Sequence, residues 1–245
     1  MSSKISINKN QFIYSLVFIV MIWGFFWLNF RNIFSTKELG IFPREKFGLY
    51  GILLSPFIHG NLEHLISNTI SLLSLLFLLA YFFPKHVLKI IVLSIILSGV
   101  GTWLIGRSSF HVGASGVIYA LISFLIFKGL LTKHYKLLAL SFIVIFLHGG
   151  SIWYMFPGVE DHISWEGHFS GFISGIILAL IVETPLEYKE IKYNWEAPDF
   201  NPDLDPFMKH FDKSGNFKNK PTQHSTYHQE KNIVYHYVKN PEDNE

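Results

Sequence analysis

The hydrophobic positions of this chain run in long unbroken blocks rather than at a strand or surface-helix period. Six blocks stand out: Phe12–Phe30, Leu65–Phe83, Val87–Ile105, His111–Phe127, Leu137–Phe156 and Gly167–Val182. A stretch of about 18 or more apolar residues can cross the roughly 30 Å hydrocarbon core as a helix. The pattern therefore predicts an all-α, polytopic membrane protein with six spans. The fourth and sixth blocks are the shortest, and the fourth opens on "HVGASG", where glycine, alanine and serine replace the expected leucines. After the sixth block the pattern changes abruptly. Asn, Asp, Lys, His and Pro dominate, and "APDFNPDLDPF" breaks any helix that begins there. The expected organisation is a membrane domain over 1–184 and a polar, partly disordered cytoplasmic tail over 185–245.

Composition agrees with this reading. The 245 residues are 50% hydrophobic, 17% aromatic and only 16% charged, against about 25% charged for a soluble domain. A net charge of +2 is too small to suggest nucleic acid. With no cysteine, a disulfide framework, a thiolate nucleophile and a cysteine-based metal site are excluded. The first block follows Lys4 and Lys9, as a signal peptide would, but it exceeds a typical signal core and no small-x-small cleavage site follows. It is read as a retained span.

Positive charge near span ends favours the cytoplasm. One set of connections carries Lys4, Lys9, Lys85, Lys89, Lys128, Lys133, Lys136, Lys189 and Lys192; the other carries Arg31, Lys37, Arg44, Lys46 and Arg107. The loop before the sixth block adds Glu160, Asp161 and Glu166 with no Lys or Arg. Both termini are therefore expected in the cytoplasm. The tail histidines His210, His224, His228 and His236 are read as solvated rather than as metal ligands.

Four features do not suit a lipid-facing surface. Ser115 is flanked by Gly113, Ala114 and Gly116. A membrane serine commonly bonds a carbonyl one turn back, but glycines cost helix stability unless the backbone approaches something or adopts a special conformation. Gly167, Gly171 and Gly175 recur every fourth residue, the spacing that lets two membrane helices come close. His168 shares the face of Gly171 and Gly175, and an ionisable group there is a functional candidate. His64 and Asn68, four apart, begin the second block, where an interhelical hydrogen bond is an equally open reading. Zinc would have His59, His64, His162 and His168 to draw on, but a His-Glu-x-x-His order is missing, because Glu63 precedes His64. Tyr119, one turn after Ser115, puts an aromatic ring on the serine's face.

Together these residues form a chemical set. Serine needs a base to become a nucleophile, and its tetrahedral intermediate needs donors aimed at the oxyanion. His168 can be the base, and backbone N–H groups with His64 and Asn68 can be the donors. Glu166 is read as solvated in its acidic loop, so the set is a Ser–His dyad rather than a triad. The α/β-hydrolase elbow is excluded, because Gly116 directly follows the serine and Val117 holds the position that elbow gives to glycine.

The sequence resembles the rhomboid family of intramembrane serine proteases from about Phe12 to Val182. The resemblance rests on the His-x-x-x-Asn of His64 and Asn68, the Gly-x-Ser-Gly of Gly113 to Gly116, and the His-x-x-Gly-x-x-x-Gly of His168, Gly171 and Gly175, in the second, fourth and sixth blocks. It implies a six-helix bundle whose short fourth span begins below the membrane surface. It implies Ser115 as nucleophile, His168 as general base, and oxyanion stabilisation by His64, Asn68 and the backbone at Ala114 and Ser115. Tyr119 would support the imidazole, and Gly113, Gly116, Gly171 and Gly175 would let the spans close. The implied protein is a serine endopeptidase of the bacterial inner membrane. Its partners would be transmembrane protein substrates and the bilayer, with no nucleic acid, no metal and no organic cofactor.

The Trp-Arg pair that many bacterial members carry in the first outer loop is missing from "FPREKFGLYGILLSPF". A rhomboid-like protein that binds membrane clients without catalysis is the rival reading, and loss of the serine or histidine would favour it. A transporter would want charged or broken helices at a midplane site, and Lys89, near a span end, is the nearest such group.

Overall fold

The computed structural model describes residues 9–31, 37–132, 134–160, 163–184, 193, 195 and 199–218. Six long helices carry the six apolar blocks: α1 (Lys9–Phe30), α2 (Leu62–Phe82), α3 (Val87–Ile105), α4 (Ser115–Leu131), α5 (Tyr135–His148) and α6 (Trp165–Ile181). A 3-10 segment, Gly149–Met155, continues α5. Among the described residues, four spans are long and apolar enough to cross a membrane: Phe12–Phe30, Leu62–Phe82, Pro84–Ile105 and Tyr135–Met155. The helices α4 and α6, at 17 residues each, rise only about 26 Å, less than the roughly 30 Å hydrocarbon core. Among the described residues there is no strand, only isolated bridges.

The helix α4 is the centre of the bundle. Its residues are buried from Val117 to Ile126, whereas α1 and α5 leave broad faces exposed, as a lipid-facing helix does. The fourth apolar block was expected to start its helix at His111, but α4 starts at Ser115. His111 instead pairs with Ile41 through two backbone hydrogen bonds of 2.9 Å. Gly113 (φ +114°) explains the later start, because its backbone lies in a region that helical residues do not visit.

Small residues set the helix spacing. A Cβ on Gly171 would sit 2.2 Å from the Gly116 carbonyl oxygen, and one on Gly175 would overlap Ser123 Oγ and the Ala120 carbonyl. The α4–α6 seam is therefore a backbone-to-backbone contact. Gly101 plays the same part between α3 and Ser170 of α6. The α6 serines Ser170 and Ser174 are buried, and Ser174 Oγ donates to the Ser170 carbonyl at 2.6 Å.

Two charged groups tie loops and helix ends together. Lys128, counted among the charges of the inner segments, is buried in α4, and its Nζ donates to the Ala179 carbonyl at 3.0 Å and to the Val182 carbonyl. It caps the carbonyl end of α6, where a cation complements the helix dipole. The first loop lacks a Trp-Arg pair but is anchored all the same. Arg44 Nη1 donates to the Leu104 and Gly106 carbonyls at the end of α3, and Trp103 Nε1 donates to the Glu45 carbonyl.

The chain divides into two compact units, Met1–Tyr188 and Lys189–Glu245. In the second, a Phe211–Phe217 bridge closes a hairpin whose turn is held by Asp212 Oδ1 accepting from the Ser214 and Asn216 N–H groups. The expected tail boundary, and His224, His228 and His236, lie outside the described residues.

Candidate active site

Ser115 is the first residue of α4, so its N–H has no carbonyl one turn back to bond. The helix dipole adds partial positive charge at the same end. Gly113 donates its own N–H to the Ser55 carbonyl at 2.9 Å, which turns the loop toward the start of α2. A Cβ on Gly113 would lie 2.6 Å from His64 Cε1 and 3.6 Å from Asn68 Nδ2. Glycine is thus required here twice over, by its φ and by the imidazole against it. His64 and Asn68 of α2 converge on the backbone just before Ser115.

On the opposite side stands His168 of α6. Its ring stacks on Tyr119, with centroids 4.2 Å apart and planes at 11°. Its Nδ1 lies 2.9 Å from the Tyr154 carbonyl oxygen. A carbonyl only accepts, so Nδ1 carries the proton and Nε2 is left as the basic nitrogen. The Tyr119 hydroxyl donates to the Ser151 carbonyl, which ties the stacked pair to the segment after α5. A backbone carbonyl therefore orients the imidazole.

Among the described residues, Ser115 Oγ and His168 Nε2 make no hydrogen bond, to each other or to any other group. Neither is among the fully buried unpartnered atoms, so each keeps accessible surface. Asn68 Nδ2, by contrast, is fully buried without a partner. Behind Ser115 a cavity of about 30 Å³, lined by Ser98, Thr102, His111 and Gly167 among others, is large enough for water. Beneath Tyr119 an apolar cavity of about 300 Å³ opens between α4, α5 and α6, lined by Ile122, Ile126, Ile145 and Phe172 among others.

Glu166 corrects the sequence reading. It is 2% exposed rather than solvated; its Oε1 accepts the Arg107 N–H at 3.1 Å, and Arg107 Nε lies 3.9 Å away. A buried carboxylate does begin the sixth span. It is not the third member of a triad, because the Tyr154 carbonyl takes His168 Nδ1. Among the described residues no cluster of three or more His, Cys, Asp or Glu could hold a metal ion. His162 lies outside them.

The fold and this site define an integral membrane protein, an all-helical bundle that encloses a polar cluster between its second, fourth and sixth helices. A family model, the Rhomboid domain, matches residues 46–184, more than half of the chain. The chain belongs to the rhomboid family. An uncharacterized protein of Mycobacterium tuberculosis is 34% identical over 154 residues, 60% of this chain and 64% of its own length. An uncharacterized protein of Mycobacterium bovis matches to the same extent. An uncharacterized protein of Mycobacterium leprae is 36% identical over 145 residues, 56% of this chain and 57% of its own length. The chain thus covers less than two thirds of these relatives.

Proposed function

We propose that this protein is an intramembrane serine endopeptidase that hydrolyses peptide bonds in or near the membrane segments of other membrane proteins. The observation that carries the reading is the state of His168. Its tautomer is fixed by the Tyr154 carbonyl and its plane by Tyr119, and the glycine seam holds it against the helix that Ser115 opens. On this reading Ser115 Oγ attacks the scissile carbonyl carbon while His168 Nε2 takes its proton and passes it to the departing amine. Water then attacks the acyl-serine ester, with the same imidazole as base. The oxyanion is met by the Ser115 N–H and by the side chains of His64 and Asn68. Serine–base hydrogen bonds are often long without substrate, and an open Ser115–His168 pair fits a site that tightens on binding. The membrane is a bacterial inner membrane with both termini cytoplasmic, 1–184 forms the membrane domain, and 185–245 is a tail on that side.

The same open pair also favours a second reading, a client-binding protein without catalysis. One experiment separates the two. The purified full chain is reconstituted with a fluorogenic membrane-span substrate, beside Ser115→Ala, His168→Ala and the double variant. Each single variant is expected to abolish cleavage, and the double variant to be no worse, because a nucleophile and its base act as a unit. Cleavage by Ser115→Ala at a tenth of the wild-type rate would sink the assignment.

A further inference from the structure

Ser115 and His168 each lie four residues after a member of one hydrogen-bonded pair. Ser164 Oγ and His111 Nδ1 are 2.6 Å apart, and His111 Nε2 lies 3.0 Å from the Arg107 carbonyl oxygen. The carbonyl must accept, so Nε2 carries the ring proton and Nδ1 accepts from the Ser164 hydroxyl. The Ser164 oxygen in turn accepts the Gly167 N–H at 3.1 Å, as the N-cap of α6. Every donor and acceptor in the chain is used in one direction only.

The pair is braced on both sides. The His111 backbone is bridged to Ile41, and Arg107 is held by the Glu166 carboxylate and by the Ile163 carbonyl, to which Nη2 donates at 2.8 Å. His111 is 5% exposed and Glu166 2%. The loop that delivers Ser115 and the cap that starts the helix of His168 are therefore joined by polar bonds, the His111–Ser164 bond among them part-buried.

We infer that His111 and Ser164 are positioning residues: their hydrogen bond, backed by the Arg107–Glu166 pair, sets the distance between Ser115 and His168. The inference rests on the dyad reading above. The bond touches neither reacting atom, and it acts on the spacing between two groups that must meet within hydrogen-bond reach. A displacement of about 1 Å at such a site can cost a hundredfold in rate.

The test uses the full chain in proteoliposomes, with kcat and KM for a membrane-span substrate and the rate of Ser115 labelling by a fluorophosphonate. Ser164→Gly removes the hydroxyl at a position where glycine still serves as a cap. Ser164→Thr keeps the hydroxyl. His111→Phe keeps a ring without its nitrogens. Ser164→Gly and His111→Phe are expected to lower kcat and the labelling rate roughly 10- to 100-fold with KM within about twofold. Ser164→Thr should stay near wild type, and the double variant should be no worse than the poorer single, because both remove one bond. Full kcat in Ser164→Gly overturns the inference, as do additive losses or a loss carried by KM. If His111→Phe does not fold, Ser164→Gly against Ser164→Thr decides alone. Wild-type protein that neither labels nor cleaves, or Ser115→Ala that still does, would instead remove the dyad reading itself.

Discussion

Replacing Gly171 by alanine adds a single methyl group where two helices touch, and the structure sets its cost. The new Cβ would lie 2.2 Å from the Gly116 carbonyl oxygen and 3.0 Å from both the Gly116 carbonyl carbon and Tyr119 Cβ. All of these are backbone or first-carbon atoms, so no flexible side-chain tip can swing away. Ordinary non-bonded contacts sit near 3.5 Å, so α6 must withdraw from α4 by on the order of 1 Å. Overpacking of this kind costs about 1–3 kcal/mol, partly offset by roughly 1 kcal/mol of better helix propensity for alanine. For a chain of this size that is a fall in melting temperature of a few degrees, at about 2–4 °C per kcal/mol. Activity should suffer more, because His168 rides on the same helix one turn away, and a shift of about 1 Å can cost a hundredfold. Gly24 supplies the control. A Cβ there meets nothing within 4 Å, so Gly24→Ala should keep full activity and gain up to about 1 kcal/mol in stability. Tryptophan fluorescence melts in detergent suit a chain with 6 tryptophans and no cysteine for thiol dyes. A Gly171→Ala protein that melts and cleaves like wild type would show that α4 and α6 are not in backbone contact.

Three other outcomes are expected. Asn68→Leu should lower turnover about 10- to 1,000-fold with an unchanged or higher melting temperature, since it removes a buried amide nitrogen that has no partner; a lower melting temperature with normal turnover would make Asn68 a packing residue. Tyr119→Phe keeps the ring on His168 but loses the bond to the Ser151 carbonyl, so it should cost far less activity than Tyr119→Ala, and equal losses would remove the stacking from the argument. His59, in the loop before α2, has its pKa pulled down to about 4, by burial first and by neighbouring His64 second. The unfolded chain takes up that proton near pH 6.5 and the folded chain does not, so stability falls as pH drops from 6.5 toward 4, on the order of 2 kcal/mol by pH 5. Melts at pH 7.5 and 5 should show this loss shrinking in His59→Leu; an identical acid loss in that variant would refute the assignment to His59.

The parts of this architecture written in local spacing are legible in the sequence. Six apolar blocks mark six helices because lipid-facing and core-facing residues are both apolar, and only length is then needed to count spans. The Gly171–Gly175 spacing marks the α4–α6 seam because one side chain every fourth residue defines a helix face. What depends on a distant partner is not legible. Glu166 reads as a loop carboxylate until Arg107, 59 residues earlier, is seen to donate to it. Lys128 reads as an inner-surface charge until the end of α6, 51 residues on, supplies carbonyls for it. His111 reads as the first residue of a span, and only the positive φ of Gly113 and the bridge to Ile41 place it outside the helix. The Tyr154 carbonyl could not be found by any residue pattern, because every residue has a carbonyl. The Gly101–Ser170 contact carried a weak signal in "SGVGTW", whose two glycines interrupt an otherwise apolar block.

One unmet polar group, the Asn68 amide, links this fold to its proposed chemistry. In lipid, each polar atom must find its partner inside the protein, and several in this bundle do. Ser123, Ser141 and Lys128 all donate to backbone carbonyls. Asn68 Nδ2, Glu166 Oε2 and the hydroxyls of Ser15, Ser94 and Ser170 are buried without a partner. Each such group costs about 1–3 kcal/mol relative to a satisfied or apolar replacement, so folding stability alone does not account for an amide at Asn68. A donor held dry and unpaired beside a helix N-terminus costs the resting protein stability. It becomes an asset only when negative charge develops in front of it, because it then needs no reorganisation. On the proposed reading that charge is the oxyanion formed as Ser115 attacks. Asn68 should then be the residue where stability and activity move in opposite directions on substitution.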